Sequence, residues 1–214
     1  MNFGKSFTYM FEDTNWVSKF LVGIVISMVP ILNIAWAGYG IGIMRNMARG
    51  MEKPLPSWDN LGEKFKDGLI IFITGFIYAL PALIVIGIGV GAAAALGGED
   101  TATVVMIVVG CCASVYLLAF SFLQPALLIH YARTNSFGAL FQVGEVIKLA
   151  TSNIGDYLLA WVTGLLAGTV LSIIAPVLVL LCVVPFLLGI AWVMCVSYYA
   201  YGQVGLSTIA KGQI

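Results

Sequence analysis

Very few residues in this sequence combine a type and a spacing that could do chemistry. His130 is the single histidine, and a neutral imidazole is a common ligand for haem iron or for the metal of a chlorophyll. Arg133 follows one helical turn later, so we favour an interfacial role in which His130 hydrogen-bonds to headgroups or loop carbonyls. His130 is thus the one cofactor-binding candidate, and the sequence predicts no bound cofactor.

Catalytic and metal-binding motifs are missing from the sequence. It contains no nucleophile elbow, no Walker loop, no metal-binding pair of histidines and no paired carboxylates with a nearby acid or base. One arrangement is left open, a site of Glu145, Asp156 and His130 along a cytoplasmic rim. The cysteines lie in apolar stretches without a Cys-x-x-Cys spacing, which indicates small apolar residues of membrane spans; they are Cys111, Cys112, Cys182 and Cys195. The sequence therefore predicts that the protein is not an enzyme and has no catalytic or metal site.

The composition indicates an integral membrane protein. Hydrophobic residues make up 61% of the 214 residues and charged residues 9%, whereas an ordinary soluble domain carries about 25% charged residues. A soluble fold of this length could not hide so much apolar surface. The ten basic and ten acidic residues cancel, which argues against a nucleic-acid partner and leaves membrane lipids as the expected contact.

Charged residues divide the chain into long uncharged runs. Residues 20–44, 68–98 and 101–132 are each long enough for the roughly 20 residues that a spanning helix needs. The run 157–210 is too long for one crossing and must form a helical hairpin that turns near Pro176 to Cys182. We therefore predict an all-α membrane protein with about five membrane-entering segments in a single transmembrane domain, 1–214.

The first run contains a helix-breaking pair, Pro30 and Asn33. Residues 20–44 are therefore either one kinked spanning helix or a re-entrant hairpin. Lysine and arginine concentrate in the loop 45–67 and recur in 133–156 and at Lys211, so we predict that these two loops and the C-terminus are cytoplasmic in a plasma-membrane protein. Lys5 and Lys19 share that side only if the run re-enters, which we favour slightly.

Three stretches between the runs have the apolar spacing of amphipathic helices. They begin at Phe3, Trp58 and Phe137, and we expect them to lie in the headgroup region. For the Trp58 stretch, packing against the protein's own loops is nearly as good an explanation. The expected aromatic anchors at the membrane interface are Trp16, Trp58, Tyr131, Tyr157 and Trp161.

One short motif occurs twice. Phe3-Gly4-x-x-Phe7 recurs as Phe137-Gly138-x-x-Phe141, and each copy opens an amphipathic stretch that leads to an apolar run. The match indicates either an internal repeat of residues 3–49 and 137–202 or a coincidence. A repeat would fit the re-entrant form of the first run.

Two further patterns bear on function. Small-residue pairs with Gly-x-x-x-Gly spacing predict faces where helices approach closely, within this chain or with another subunit; they are Gly38 with Gly42, Gly87 with Gly91 and onward to Ala95, and Gly164 with Gly168. Polar residues beside prolines predict helix breaks at two places, Pro30 with Asn33 and Gln124 with Pro125. No run has a charged residue in its interior, which argues against ion-coupled transport.

Six short stretches of the sequence carry a resemblance to a known family. They are Asp13-Thr14-Asn15-Trp16, Pro30-Ile31-Leu32-Asn33, Pro54-Leu55-Pro56-Ser57-Trp58-Asp59, Ser136-Phe137-Gly138, Gly144-Glu145 and Gly155-Asp156-Tyr157-Leu158. Together they resemble a family of prokaryotic multi-pass membrane proteins, the domain of unknown function 4013. Asn33 departs from the small residue expected after Pro-Ile-Leu. The resemblance implies a membrane fold but no activity.

Two functions from different classes fit these observations. We favour a non-catalytic scaffold, membrane-organising protein or accessory subunit of a larger membrane complex, with other membrane proteins or further copies of the chain as partners. The alternative is a facilitative transporter or channel for a small neutral or lipid-like solute. A polar cavity that reaches Asn33 and Gln124 would favour transport, and large apolar grooves facing lipid would favour the scaffold.

Overall fold

The computed structural model describes residues 2–181 and 183–210, and these are almost entirely helical, with no strand. Cys182, Lys211 and the predicted cytoplasmic C-terminus lie outside the described residues. Short 3₁₀ turns occur at Tyr9–Glu12, Leu32–Ile34 and Phe137–Phe141. The α-helices are α1 (Phe3–Thr8), α2 (Trp16–Ser27), α3 (Ala35–Ala48), α4 (Leu61–Leu96), α5 (Glu99–Thr134), α6 (Val143–Ser152), α7 (Ile154–Leu181) and α8 (Val183–Ala210).

Four of these helices are long and apolar enough to cross a membrane: α4, α5, α7 and the part of α8 up to Thr208. Together with the short helices they confirm the predicted all-α membrane fold. The predicted hairpin of the last run is present, because Gly189 of α8 packs on Leu171 of α7 and Gly164 of α7 faces Tyr201 of α8. Helix α7 ends at Leu181, within the predicted range of Pro176 to Cys182, and α8 begins at Val183.

The first apolar run is broken where Pro30 and Asn33 predict it. The chain leaves the α-helix at Met28 and resumes at Ala35. At a rise of about 1.5 Å per residue, α2 is roughly 18 Å long and cannot cross a hydrocarbon core of about 30 Å. The helix α3 has 14 residues, two more than α2, and is likewise too short to cross.

The helices α2 and α3 fold back on each other as a hairpin. The indole Nε1–H of Trp36 donates to the carbonyl oxygen of Gly23, 3.1 Å away, and the hydroxyl of Ser27 lies 2.6 Å from the same nitrogen. Near the far ends, Lys19 and Asn46 bond to the adjacent carbonyls of Leu55 and Pro54. A hairpin of two short helices is the geometry of a re-entrant segment, while the sidedness of loops 45–67 and 133–156 stays a prediction.

One of the three predicted interfacial helices is not a separate element. Trp58 lies in a bend, and the residues after it form the first turns of α4. The helix runs without interruption from Leu61 through Asp67-Gly68, a dipeptide typical of turns, into the apolar part of α4. The other two stretches do form short helices, α1 and α6.

The chain divides into two compact units, residues 1–71 with 125–214 and residues 72–124. The second unit is a hairpin of α4 and α5 joined at Gly97 and Gly98, whose positive φ angles of 64° and 83° favour glycine. Within it the Tyr116 hydroxyl donates to the carbonyl oxygen of Tyr78 at 2.7 Å. The predicted single domain and the internal repeat stay predictions, although both copies of the repeat motif place their two phenylalanine rings 5.2 Å apart.

Glycine at position 38 sets how closely α3 approaches α4. An added Cβ there would overlap the carbonyl oxygen of Lys64. We expect Gly38→Ala to lower the free energy of unfolding by about 2 kcal/mol, since backbone cannot yield as a flexible side chain does. Unfolding of wild type and variant in mixed micelles of SDS and a mild detergent measures the difference in this free energy.

The matched control is Gly62→Ala, at a helical glycine of α4 with open space around its Cβ. That substitution should leave stability unchanged or raise it by up to about 1 kcal/mol, because alanine is the better helix former. Equal effects of the two substitutions would contradict the close approach of α3 and α4.

Candidate functional site

Charged and polar side chains from three helices meet in the larger unit, where α3 ends, α4 begins and α5 ends. The guanidinium of Arg45 donates to both carboxylate oxygens of Asp67, with Nη2 3.3 Å from Oδ1. The hydroxyl of Tyr131 donates to the same Oδ1 at 2.6 Å. Arg45 also donates from Nη2 to the side-chain oxygen of Asn135 at 2.7 Å. These residues form an ion network that joins the three helices.

Burial strengthens the hydrogen bonds of this network and makes them sensitive to geometry. Asp67 is only 3% exposed, so its charge needs the bidentate guanidinium and the hydroxyl to replace water. Burial by itself would lower the pKa of Arg45, but the hydrogen bond and charge of Asp67 outweigh it and raise that pKa. The guanidinium carbon also lies 5.8 Å from the centre of the Tyr131 ring, within range of a cation–π contact. Arg45 is therefore a fixed cation.

A second ionic contact holds the loop between α3 and α4. Lys19 Nζ donates to Asp13 Oδ2 and to the carbonyl oxygen of Leu55, both at 2.7 Å. Burial by itself would raise the pKa of Asp13, but the hydrogen bonds from Lys19 and from the backbone N–H of Asn15 lower it overall. The loop is thereby bound to the start of α2.

Aromatic rings close the space beside that contact. The Trp58 ring stacks on Tyr39 at 4.6 Å and meets Trp36 edge-on at 5.2 Å. Its indole Nε1–H donates to the carbonyl oxygen of Lys19 at 2.7 Å. Trp58 therefore packs on the protein's own helices, as the alternative explanation of that stretch proposed, and it is half-buried rather than a free anchor.

A polar cleft of about 610 Å³ opens beside the ion network. It lies wholly within residues 38–67, and its charged lining comprises Arg45, Arg49, Glu63, Lys64 and Asp67. Uncharged polar residues, two glycines and three apolar residues complete the lining. The other lining residues are Gly38, Gly42, Asn46, Met51, Leu55, Pro56, Ser57 and Asn60.

A separate groove of about 390 Å³ is almost purely apolar. It runs between the N-terminal helices and the α7–α8 hairpin, and its lining includes Trp16, Phe20, Leu171 and Trp192. Such a surface suits hydrocarbon and offers nothing to hold a polar solute.

The residues predicted to mark helix breaks do not meet in the polar cleft. Asn33 and Gln124 are both exposed, and neither lines the cleft. The break expected at Gln124 and Pro125 is absent, because α5 continues through it. The adjacent backbone is satisfied from outside the helix: the N–H of Ala126 donates to the Tyr157 hydroxyl at 3.3 Å, so the proline does not unwind the helix.

The aromatic anchors divide into two groups. Tyr131 and Tyr157 are fully buried in the protein, and their place at the membrane interface stays a prediction. Both hydroxyls have partners inside the protein, Asp67 and the Ala126 N–H, which explains why tyrosine is buried there. Trp16 and Trp161 are half-buried and keep the exposure that an anchor needs.

His130 is buried and has a partner from the loop that follows α5. Its Nε2 lies 2.9 Å from the side-chain oxygen of Gln142. A hydrogen bond to a loop residue is what we expect of the interfacial role, although the partner here is a side chain and not a backbone carbonyl. A cofactor on Nε2 would have to displace Gln142.

The small-residue pairs also differ among themselves. Gly38, Gly42 and Gly164 pack against Lys64, Pro56 and Tyr201 respectively. Gly87, Gly91 and Gly168 have nothing within 4 Å of an added Cβ. In the second unit the packed glycine is instead Gly89, which lies against Val109. The same sequence pattern thus produces both internal contacts and open faces.

The ion network is the feature that the sequence interpretation missed. In the sequence, Arg45 and Asp67 only bound the uncharged runs 20–44 and 68–98, which hides that they pair with each other. Their opposite signs on consecutive runs are a signal that could have suggested the pair.

Comparison with known proteins gives one match. The family model described as "Protein of unknown function (DUF4013)" matches residues 21–180. No curated protein and no solved structure matches the chain.

Replacing Asp67 tests the ion network. We expect Asp67→Asn to lower the free energy of unfolding by about 3 kcal/mol, because it leaves the Arg45 charge in a buried place without its main partner. Glu63→Gln is the control, since its carboxylate is 62% exposed and 3.6 Å from Arg45; it should cost less than about 1 kcal/mol. Similar losses in both variants, measured in SDS titrations, would argue against a buried pair.

The contact between Asp13 and Lys19 predicts a dependence on pH. The pKa of Asp13 is lowered on folding, so the stability it adds is present above the ordinary carboxyl pKa of about 3.9 and is lost as the pH falls below that value. Wild type and Asp13→Asn should therefore differ in unfolding free energy at neutral pH and converge below about pH 4.

A Lys19→Met background supplies the control. Without the lysine, Asp13→Asn should alter the acid dependence less, because the backbone N–H of Asn15 is then the main group that favours the carboxylate. If the two proteins keep a constant difference from pH 7 to pH 3, the carboxylate of Asp13 is not the group responsible.

Proposed function

Since the chain belongs to DUF4013, a family of unknown function, we propose that it is a non-catalytic accessory subunit or scaffold of a larger complex in the plasma membrane. Its partner in this proposal is another membrane protein, held through the spanning helices. One observation carries the proposal, the exposed apolar surface of the hairpin formed by residues 72–124.

That hairpin leaves nearly all of its surface uncovered. In residues 72–124 only Thr74, Ala82, Gly89 and Ala113 are buried. The exposed side chains are apolar along most of both helices, including Phe76, Ile84, Ile107 and Leu118. A surface of this kind must be covered by lipid or by other helices, and small residues within it favour helices.

The face around Gly87 and Gly91 is the best docking surface in the hairpin. Neither glycine has an atom of this chain within 4 Å of an added Cβ. Two glycines one turn apart allow a partner helix to approach at backbone distance. The packing of the hairpin itself uses Gly89, so this face is not needed for internal contacts.

The alternative, facilitated transport, has less support. The polar cleft is lined by residues 38–67 and includes neither Asn33 nor Gln124, whereas the second large cavity is an apolar groove. An apolar groove is expected of a scaffold. A transporter of a polar solute would need a polar cavity that reaches Asn33 and Gln124.

A non-catalytic role also agrees with how the carboxylates are used. Asp67 and Asp13 are tied to Arg45 and Lys19. Asp156 accepts a hydrogen bond of 2.6 Å from the side chain of Asn153. Carboxylates held in this way are poorly placed to exchange protons with a substrate.

Native mass spectrometry of the protein, extracted gently from its own membrane, tests the proposal. We expect wild type to carry a partner subunit at fixed stoichiometry, and Gly87→Ile/Gly91→Ile to lose it, because the added side chains keep a partner helix away. The control is Gly75→Ile/Gly110→Ile, which places the same side chains in open space on the same hairpin.

The control variant should keep the partner. A wild-type monomer, a homo-oligomer without another subunit, or a partner that the Gly87 and Gly91 substitutions leave in place would each contradict the proposal.

A further inference from the structure

The polar cleft contains more positive charge than its carboxylates neutralise. Asp67 and Glu63 both lie within 4 Å of Arg45. Among the described residues, the other two cations of the cleft, Arg49 and Lys64, have no carboxylate within that distance. The charged lining thus has three cations and two carboxylates, a net charge of +1, and both carboxylates lie against Arg45.

Lys64 is unusual because it is also buried, with only 9% of its surface exposed. Its ammonium is solvent-accessible and Lys64 lines the cleft, so an anion that enters the cleft can reach this charge. Its neighbour Arg49 is exposed at the rim of the cleft. The pair therefore offers one inner and one outer positive group to the same space.

The start of α4 adds to this positive end of the cleft. The helix begins at Leu61, so its first free N–H groups and the positive end of its dipole lie beside Asn60 and Lys64, which both line the cleft. Ser57 and Asn60 supply neutral donors. An anion with several oxygen acceptors matches such a set of donors.

We propose that the cleft binds a phosphate ester, with Lys64 and Arg49 as its counter-charges, and that its natural source is the headgroup of a membrane phospholipid. The volume of about 610 Å³ exceeds what a bare phosphate needs and suits a headgroup. The cleft also lies immediately before the apolar part of the spanning helix α4, where headgroups meet hydrocarbon. This inference is independent of the accessory-subunit proposal, because it concerns another part of the chain.

The experiment uses the full-length protein in detergent, titrated with dioleoyl phosphatidylglycerol and followed by native mass spectrometry. The matched probe is dioleoylglycerol, which has the same chains and no phosphate. We expect wild type to retain the phospholipid at least about tenfold more tightly than Arg49→Gln/Lys64→Gln, because two charge-assisted contacts are lost.

Two controls separate the cleft from general surface charge and from misfolding. Lys148→Gln removes an exposed cation, 59% exposed and outside the cleft, and it should bind like wild type. Arg49→Gln alone changes an exposed side chain, so it should fold normally and still weaken binding. Lys64→Arg with Arg49→Lys should restore most of the affinity.

Millimolar sodium phosphate, compared with sodium chloride of equal ionic strength, distinguishes the sources of phosphate. Retention of phosphatidylglycerol that sodium phosphate does not displace supports a lipid headgroup. If phosphatidylglycerol binds no better than dioleoylglycerol, yet sodium phosphate raises the Tm of wild type and not of the double variant, the site takes a soluble phosphate and the lipid source is wrong. Equal binding by wild type and Arg49→Gln/Lys64→Gln in both measurements would overturn the site.

Discussion

The contact between Arg45 and Asp67 fixes the arrangement of the larger unit. Two charges removed from water cost several kcal/mol each unless hydrogen bonds replace the lost solvent. For Asp67 of α4, the bidentate guanidinium of α3 and the Tyr131 hydroxyl of α5 meet that demand, and the Asn135 amide oxygen just after α5 accepts from the guanidinium. Because each group must lie within hydrogen-bond distance, the pair allows only one register of α3 against α4 and α5.

The close approach of α3 to α4 follows from that register. Gly38 lies two turns before Arg45 and faces the backbone of Lys64, one turn before Asp67. The pair of glycines Gly38 and Gly42 removes side chains where the helices converge, and this leaves the polar cleft open along one side of the contact. Charge and small residues therefore act together: the ion pair sets the alignment, and the glycines permit the distance.

Much of the fold could be predicted from the sequence, because lipid imposes simple rules of length and hydrophobicity. The spans, the hairpin of residues 157–210 and the break near Pro30 follow from those rules. The rules fail where an outcome depends on which way a helix is rotated. Tyr157 has the position of an interfacial anchor but turns inward to the Ala126 N–H, and Gly87 has the spacing of Gly38 but faces open space. Rotation is set by contacts between helices distant in sequence, and these are also what the ion network and the cleft depend on.

The hydrogen bonds of Lys19 determine when the N-terminal helices gain their contacts during synthesis. The carbonyl oxygen of Lys19 accepts from Trp58, and its ammonium donates to the carbonyl of Leu55. A ribosome that has just completed α3 has not yet made either residue, so the α2–α3 hairpin is synthesised before the contacts that bind its open end. Asp67 likewise lacks the hydroxyl of Tyr131 until 64 more residues have been synthesised. The N-terminal segment is thus synthesised first but gains these stabilising contacts later, because they come from residues that follow it in the chain.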